Sequence, residues 1–290
     1  MSVATLSSDP AADPRPAAAV HGAAEVTFAR KAGKTRLASL YQRDPLRVLF
    51  PDIPEGEPPT AVVVTTSGGL VGGDRLDVSL SVGAGAAAMV LGQAAEKVYR
   101  STGPISRIDV SLTVANQGWL EWLPQETILF EAARLHRRTR IDIAPEGRLL
   151  AGEILVFGRV ASGERLTRGL VRDAWEIRRQ GRLAWADALH LEDGMEDALA
   201  DPACFDGAAA YATIVYAADG PERLLATARD LLGAGDADLR AAASVVNGVL
   251  VTRWLGRDAH GLRRAFGSFW AGFRHAAAGL PEALPRLWHV

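Results

Sequence analysis

Two carboxylates sit inside stretches that read as buried strands. Glu153 lies in "LLAGEILVFG" and Asp187 in "RLAWADALHL", where an unpaired buried charge would cost several kcal/mol. Glu126 and Glu131 bracket the short run "TILF" in a similar way. Read as chemistry, this is a polar interior lined by carboxylates, with the arginines of "RLHRRTR" and "EIRRQGR" at hand as partners. Read blandly, strand alternation turns each acid and each arginine toward water. The pattern alone leaves both open.

A second candidate is "SGGLVGGDRL" from Ser67, which follows the apolar run "TAVVVTT". A dinucleotide fingerprint needs G-x-G-x-x-G leading into a helix whose N-terminal amides hold the phosphates. Here the spacing is G-G-x-x-G-G and an alternating strand, "DRLDVSLSV", follows. A Walker loop fails as well, because Asp74 stands where the phosphate-binding lysine belongs. Gly68, Gly69, Gly72 and Gly73 are therefore expected to make two tight chain reversals at positive φ, in a hairpin or at the corner of a coil.

Nucleophilic and structural-metal chemistry find little support. There is no G-x-S-x-G elbow, and the lone Cys204 sits in the turn-like "DPACFDG". The six histidines show neither H-x-H nor H-x-x-x-H spacing, and there is no C-x-x-C. The 32 basic residues against 34 acids give a net charge of -2, so nucleic acid and anionic membranes are not expected partners. A single cysteine fits a reducing compartment, with the cytoplasm as default. The first twenty residues lack a basic start and an apolar block, and no apolar run approaches the roughly 18 residues of a membrane span. A soluble protein is expected.

The elements that must position these residues are mostly strands. Leu76, Val78, Leu80 and Val82 alternate, as do Ile108, Val110, Leu112 and Val114, and then Ile141 and Ile143. Three bursts end alike, in "LSVGAGA" at Leu80, "LTVANQGW" at Leu112 and "IDIAPEGR" at Ile141, 32 and 29 residues apart. This faint repeat suggests a stacked β-coil, each layer burying the face its neighbour exposes; a β-sandwich of hairpins is the rival. After Asp201 the texture changes. "YATIVYA" reads as a strand, "DGPERLLATARDLLGAG" as a helix capped by Asp219, and "SVVNGVLVTRWLG" as strand with a turn at Asn247-Gly248. A last helix over 258–278 carries Leu262, Phe266, Phe269, Trp270 and Phe273 on one face. The expected fold is mainly β: a tail over 1–22, a β-helical body over 23–200, and a small α+β portion over 201–290 packed on the body.

Taken together, "SGGLVGGDRL", "AAEKVYRS" from Ala94, "WLEWLPQETILFE" from Trp119, "LLAGEILVFGR", "GRLAWADALHLE" from Gly181 and the closing "LPRLW" resemble the urease accessory protein family UreD, also called UreH. The family marks fall on the four glycines and on Lys97, Tyr99, Arg100, Pro124 and Gln125. Before Glu96 the chain reads "LGQAA" where relatives often carry a proline or glycine turn. The resemblance implies a non-enzymatic metallochaperone with a β-helical body. Its partners would be apo-urease, the bridging protein UreF and, through it, the GTPase UreG. It leaves room for a homodimer within that assembly.

The implied cargo is transient Ni2+, with no permanently bound cofactor. Nickel accepts carboxylate, imidazole and water, and a conduit must hold it weakly enough to release it. Asp74, Glu153 and Asp187, which match acidic positions in the family's blocks, are expected to line or gate a hydrated path, with Glu126, Glu131 and Glu96 as weaker candidates. Two alternatives stand beside this: a β-helical carbohydrate-active enzyme using paired carboxylates, and a docking scaffold that never touches metal.

Overall fold

A computed structural model describes residues 19–192, 194–233, 235 and 237–289. Its strands are β1 (His21–Lys31), β2 (Lys34–Arg43), β3 (Leu46–Leu49), β4 (Thr60–Thr65), β5 (Arg75–Val82), β6 (Ala87–Gln93), β7 (Glu96–Val98), β8 (Ser106–Val114), β9 (Trp119–Leu123), β10 (Thr127–Leu129), β11 (Arg134–Ile143), β12 (Arg148–Phe157), β13 (Leu170–Arg179), β14 (Arg182–Leu191), β15 (Ala210–Ala217), β16 (Leu239–Val246) and β17 (Val249–Gly256). The helices are α1 (Met195–Ala200), α2 (Leu225–Leu232) and α3 (Ala259–Ala278). Of the tail expected over 1–22, residues 1–18 lie outside the described residues. His21 and Gly22 belong to β1, because they pair with Arg75 and Leu76.

The stacked coil is present. The chain winds from β4 to β5, from β6 through β7 to β8, from β9 through β10 to β11, and from β12 to β13, laying parallel strands alternately into two sheets. The first sheet has the order β14-β13-β11-β8-β5-β1-β2, and the second runs β16-β17-β15-β12-β9-β6-β4-β3. The faint repeat is the layer period itself: Leu80 pairs with Leu112, and Leu112 with Ile141. All three are buried in the core between the sheets.

The glycine stretch forms a corner of this coil. Gly68, Gly69 and Gly73 have φ of 77°, 141° and 98°, as such reversals require; Gly72 has no positive φ. Leu70 donates its amide to the carbonyl of Lys97 (2.7 Å), and Tyr99 returns one to Leu70 (2.9 Å). A Cβ on Gly69 would stand 2.6 Å from the Tyr99 ring and 2.7 Å from the Lys97 carbonyl. The two family blocks are thus packed against each other. Ala94, in "LGQAA", makes the turn before β7, at φ 60°. Arg100 continues the layer contact by bridging to Ala133.

The C-terminal strands do not form a separate sheet; β15, β17 and β16 extend the second one antiparallel. The Asn247-Gly248 turn joins β16 and β17, both residues at positive φ. The expected helix from Asp219 divides into a 3-10 turn over Pro221–Leu224 and then α2. Asp219 does not cap it: left-handed Gly220 stands at the N-terminus, and the Asp219 carboxylate pairs with Arg179 at 2.6 Å.

Helix α3 is capped by Asp258, which accepts from the amides of His260 and Gly261. Its aromatic stripe closes a second core against the outer face of the second sheet. That is why every residue of β12 after Arg148 is buried: one face meets the first sheet, the other meets α3. A clamp fixes the helix. The fully buried Arg274 donates to both carboxylate oxygens of the fully buried Glu121 (2.9 and 3.0 Å) and to Glu57 (2.8 and 2.6 Å), and Trp119 and Trp270 also donate to Glu121. Gln125 holds the last segment by donating to the carbonyl of Leu287 (3.0 Å). The preceding Pro124 lies 3.3 Å from where a Cβ on Gly92 would stand.

Candidate functional site

Alternation decides which side chains enter the space between the sheets. In β12, Ala151, Glu153 and Leu155 point inward; in β11, Leu135, Arg137, Thr139 and Ile141 do. Glu153 is therefore committed to the core by its strand parity, and Arg137 meets it from the opposite sheet. Arg137 forks onto Asp173 of β13 (Nε to Oδ1 3.0 Å, Nη2 to Oδ2 2.8 Å), donates to Thr127 (3.0 Å) and makes a very short ion pair with Glu153 Oε2. Thr139 donates to the other Glu153 oxygen at 3.2 Å. Glu153, Arg137 and Asp173 are each about 5% exposed or less.

Two carboxylates share one guanidinium here, and the chemistry follows from that count. Burial pushes the Glu153 carboxyl up to about 8, against the pull of Arg137 and with the Asp173 charge adding to the rise. Burial opposes the charge on Arg137, but Asp173 and Glu153 outweigh it and hold the guanidinium protonated. The protonated form of Glu153 is thereby favoured beside the Arg137 cation.

From this cluster a polar line runs in both directions. Toward the glycine corner, Arg137, Glu153, Thr127, Gln125 and Glu96 border a cavity of about 80 Å³ whose remaining lining is mostly apolar, Leu46, Val63, Leu76 and Val110 among it. Glu96 sits beside Thr127 in the β7–β10 pairing and accepts from Thr65 at 2.6 Å. Burial pushes Glu96 up to about 6; the Thr65 hydrogen bond opposes the rise and the Asp74 charge reinforces it. Toward the other end, Glu153, Thr213 and Arg253 stand side by side across β12, β15 and β17. Arg253 then pairs with Asp187 of β14 at 2.6 Å, so an ion pair spans the two sheets. Asp187 is less enclosed than its apolar neighbours suggest: it lies on the edge strand, with its side chain 31% exposed.

The expected acids therefore divide. Glu153 and Glu96 belong to the interior line, and Asp187 stands at its solvent-exposed end. Asp74 is buried, but its two oxygens accept the amides of Val20 and Val71 (2.9 Å each), which ties off the glycine corner. Glu126 faces Arg263 of α3 at 3.2 Å, outside the space between the sheets. Glu131 accepts from the Thr167 amide and hydroxyl and from Arg168; burial raises its carboxyl, but these bonds hold it below the usual range. Among the described residues no three His, Cys, Asp or Glu side chains cluster as a preformed metal site, and no helix is long and apolar enough to cross a membrane.

Asp173, Thr213 and Arg253 are absent from the sequence expectations, and Arg137 enters them only as one of the arginines of "RLHRRTR". Asp173 carried the same signal as Glu153, an acid among alternating apolar residues in "LVRDAWEI". Arg137 was hidden in "RLHRRTR", a run that also reads as a solvated face. Its parity with Ile141 and Ile143 distinguishes it from Arg138 and Arg140.

Comparison with known proteins identifies the family to which the sequence belongs. A Magnetococcus marinus protein described as urease accessory protein UreD is 46% identical over 278 residues, covering 95% of this chain and 96% of its own. Proteins so described from a Methylobacterium species and from Azorhizobium caulinodans are 44% and 40% identical, each covering 89% of this chain and 90% and 92% of their own. The pattern of the UreD urease accessory protein family itself matches residues 20–289, and the chain belongs to that family.

Proposed function

We propose that this protein docks on apo-urease in the cytoplasm and, together with UreF and the GTPase UreG, passes nickel to the urease active site through its own β-body. A urease accessory protein is not itself an enzyme, so the carbohydrate-processing alternative falls away. The observation that carries the conduit over a plain scaffold is the polar line between the sheets, from Glu96 past Glu153 to Asp187. A core that only had to be stable would fill that space with apolar side chains. The line pairs its carboxylates with hydroxyls and guanidiniums instead, so a passing divalent cation meets oxygen donors that are already occupied. Such a site holds an ion weakly, as transfer requires.

The test is to co-express urease, UreF and UreG with Glu153→Ala, Glu153→Gln or Asp187→Ala variants. The conduit reading expects the accessory complex to assemble while urease takes up markedly less nickel. Normal complexes with wild-type nickel content in urease would refute it and leave the scaffold reading.

A further inference from the structure

The outer face of the first sheet carries a feature that the interior line does not use. Strand register places His21, Arg75, Arg107, His136, Arg172 and His190 side by side, one from each of β1, β5, β8, β11, β13 and β14. At about 4.8 Å between neighbouring strands the row is roughly 24 Å long. Its ends are partly neutralised, since His21 and Arg75 pair with Asp77 and His190 lies 3.6 Å from Glu192. Its centre is not. Among the described residues neither Arg107 nor Arg172 makes an ion pair, whereas Arg138 in the same cleft is taken by Glu176 at 2.6 Å. The cleft, of about 370 Å³, is bordered by Arg107, His136, Arg138 and Arg172 and by two carboxylates, Asp109 and Glu176, so its cations outnumber its acids. Burial and then the Arg107 and Arg172 charges depress the His136 imidazole, which registers the positive field concentrated there.

We infer that this cationic row is a docking surface for an acidic segment of a partner protein, whose carboxylates pair with Arg107 and Arg172. The guanidinium fork matches a carboxylate bidentately. The length of the row suits an extended segment better than a single small anion. The row holds no Phe, Tyr or Trp ring of the kind that nucleobases stack on, and the whole chain has a net charge of -2, so the positive face is local and selects by complementarity. The inference does not depend on metal passing through the interior.

Fluorescence anisotropy of a labelled decaglutamate peptide against the full-length protein tests it. We expect binding at low salt that weakens as salt is raised, at least a tenfold loss in an Arg107→Glu/Arg172→Glu variant, and no change in Arg36→Glu, which alters charge on β2 away from the row. Should the reversed charges disturb folding by circular dichroism, the Arg107→Gln/Arg172→Gln pair carries the test, with a loss of threefold or more expected. No binding by the wild type, equal binding by the variants, or tighter binding of a ten-residue oligothymidylate would each overturn the assignment.

Discussion

Replacing Glu153 with glutamine isolates the protonation state on which the interior line depends. The carboxyl is pushed from an ordinary 4.5 to about 8 in the folded protein. A folded value above the unfolded one means that the protonated form is favoured by folding. This stabilisation is complete below about pH 4.5 and is lost as pH rises through about 8. At roughly 1.4 kcal/mol for each pH unit between those values, ionising Glu153 withdraws on the order of 5 kcal/mol by pH 9. Glutamine keeps the size and the oxygen that accepts from Thr139, but it cannot ionise. The two proteins should therefore unfold at similar urea concentrations near pH 4.5, and the variant should be the more stable by about 2 kcal/mol at pH 6 and by on the order of 5 kcal/mol at pH 9. Other groups that titrate in this window, such as Glu96 and His136, are common to both proteins and cancel in the difference. Identical pH slopes for wild type and variant between pH 6 and 9 would mean that Glu153 is already ionised at neutral pH, and the reasoning would fail.

Two further outcomes follow from the packing. Arg274→Met should leave Glu121 buried without its cation, at a cost of about 3–5 kcal/mol, and lower the melting temperature by on the order of 10 °C in a calorimetric scan; a drop of only a degree or two would mean that α3 is held by its aromatic stripe alone. Gly69→Ala, with its Cβ driven into Tyr99 and the Lys97 carbonyl, should cost roughly 3 kcal/mol or more, against about 1 kcal/mol for Gly68→Ala, whose Cβ meets nothing within 4 Å; urea titrations giving equal losses would remove the close-packed corner as the reason for that glycine.

Much of the fold was legible because its causes are local. Alternation at period two named the inward faces of β5, β8 and β11, glycines marked the coil corners, and the aromatic stripe of α3 announced a buried helix face. The repeat at Leu80, Leu112 and Ile141 proved to be the register of neighbouring layers, since residues stacked at one level of a coil experience the same packing. The helix after Asp219 was read less well. Gly220 in a left-handed conformation moved its start, and Arg179, 40 residues earlier in the chain, took the carboxylate that was expected to cap it.

The candidate site shows the same division more sharply. The sequence by itself determined that acids lie among apolar strand residues, that arginines are close at hand, and that the blocks belong to one family. Which acids form a line was decided only by tertiary structure. Glu153 and Asp74 are both buried, but one faces Arg137 across the sheets while the other is consumed by two backbone amides. Glu126 and Thr127 are adjacent in sequence, but Glu126 meets α3 whereas Thr127 meets the interior. Likewise the register of six strands, not the composition of any one, aligns the cationic row on the outer face. Strand parity is set by a residue's immediate neighbours and can be read along the chain. The partner of a buried charge is set by which layers stack and which faces oppose, and those contacts join residues tens of positions apart.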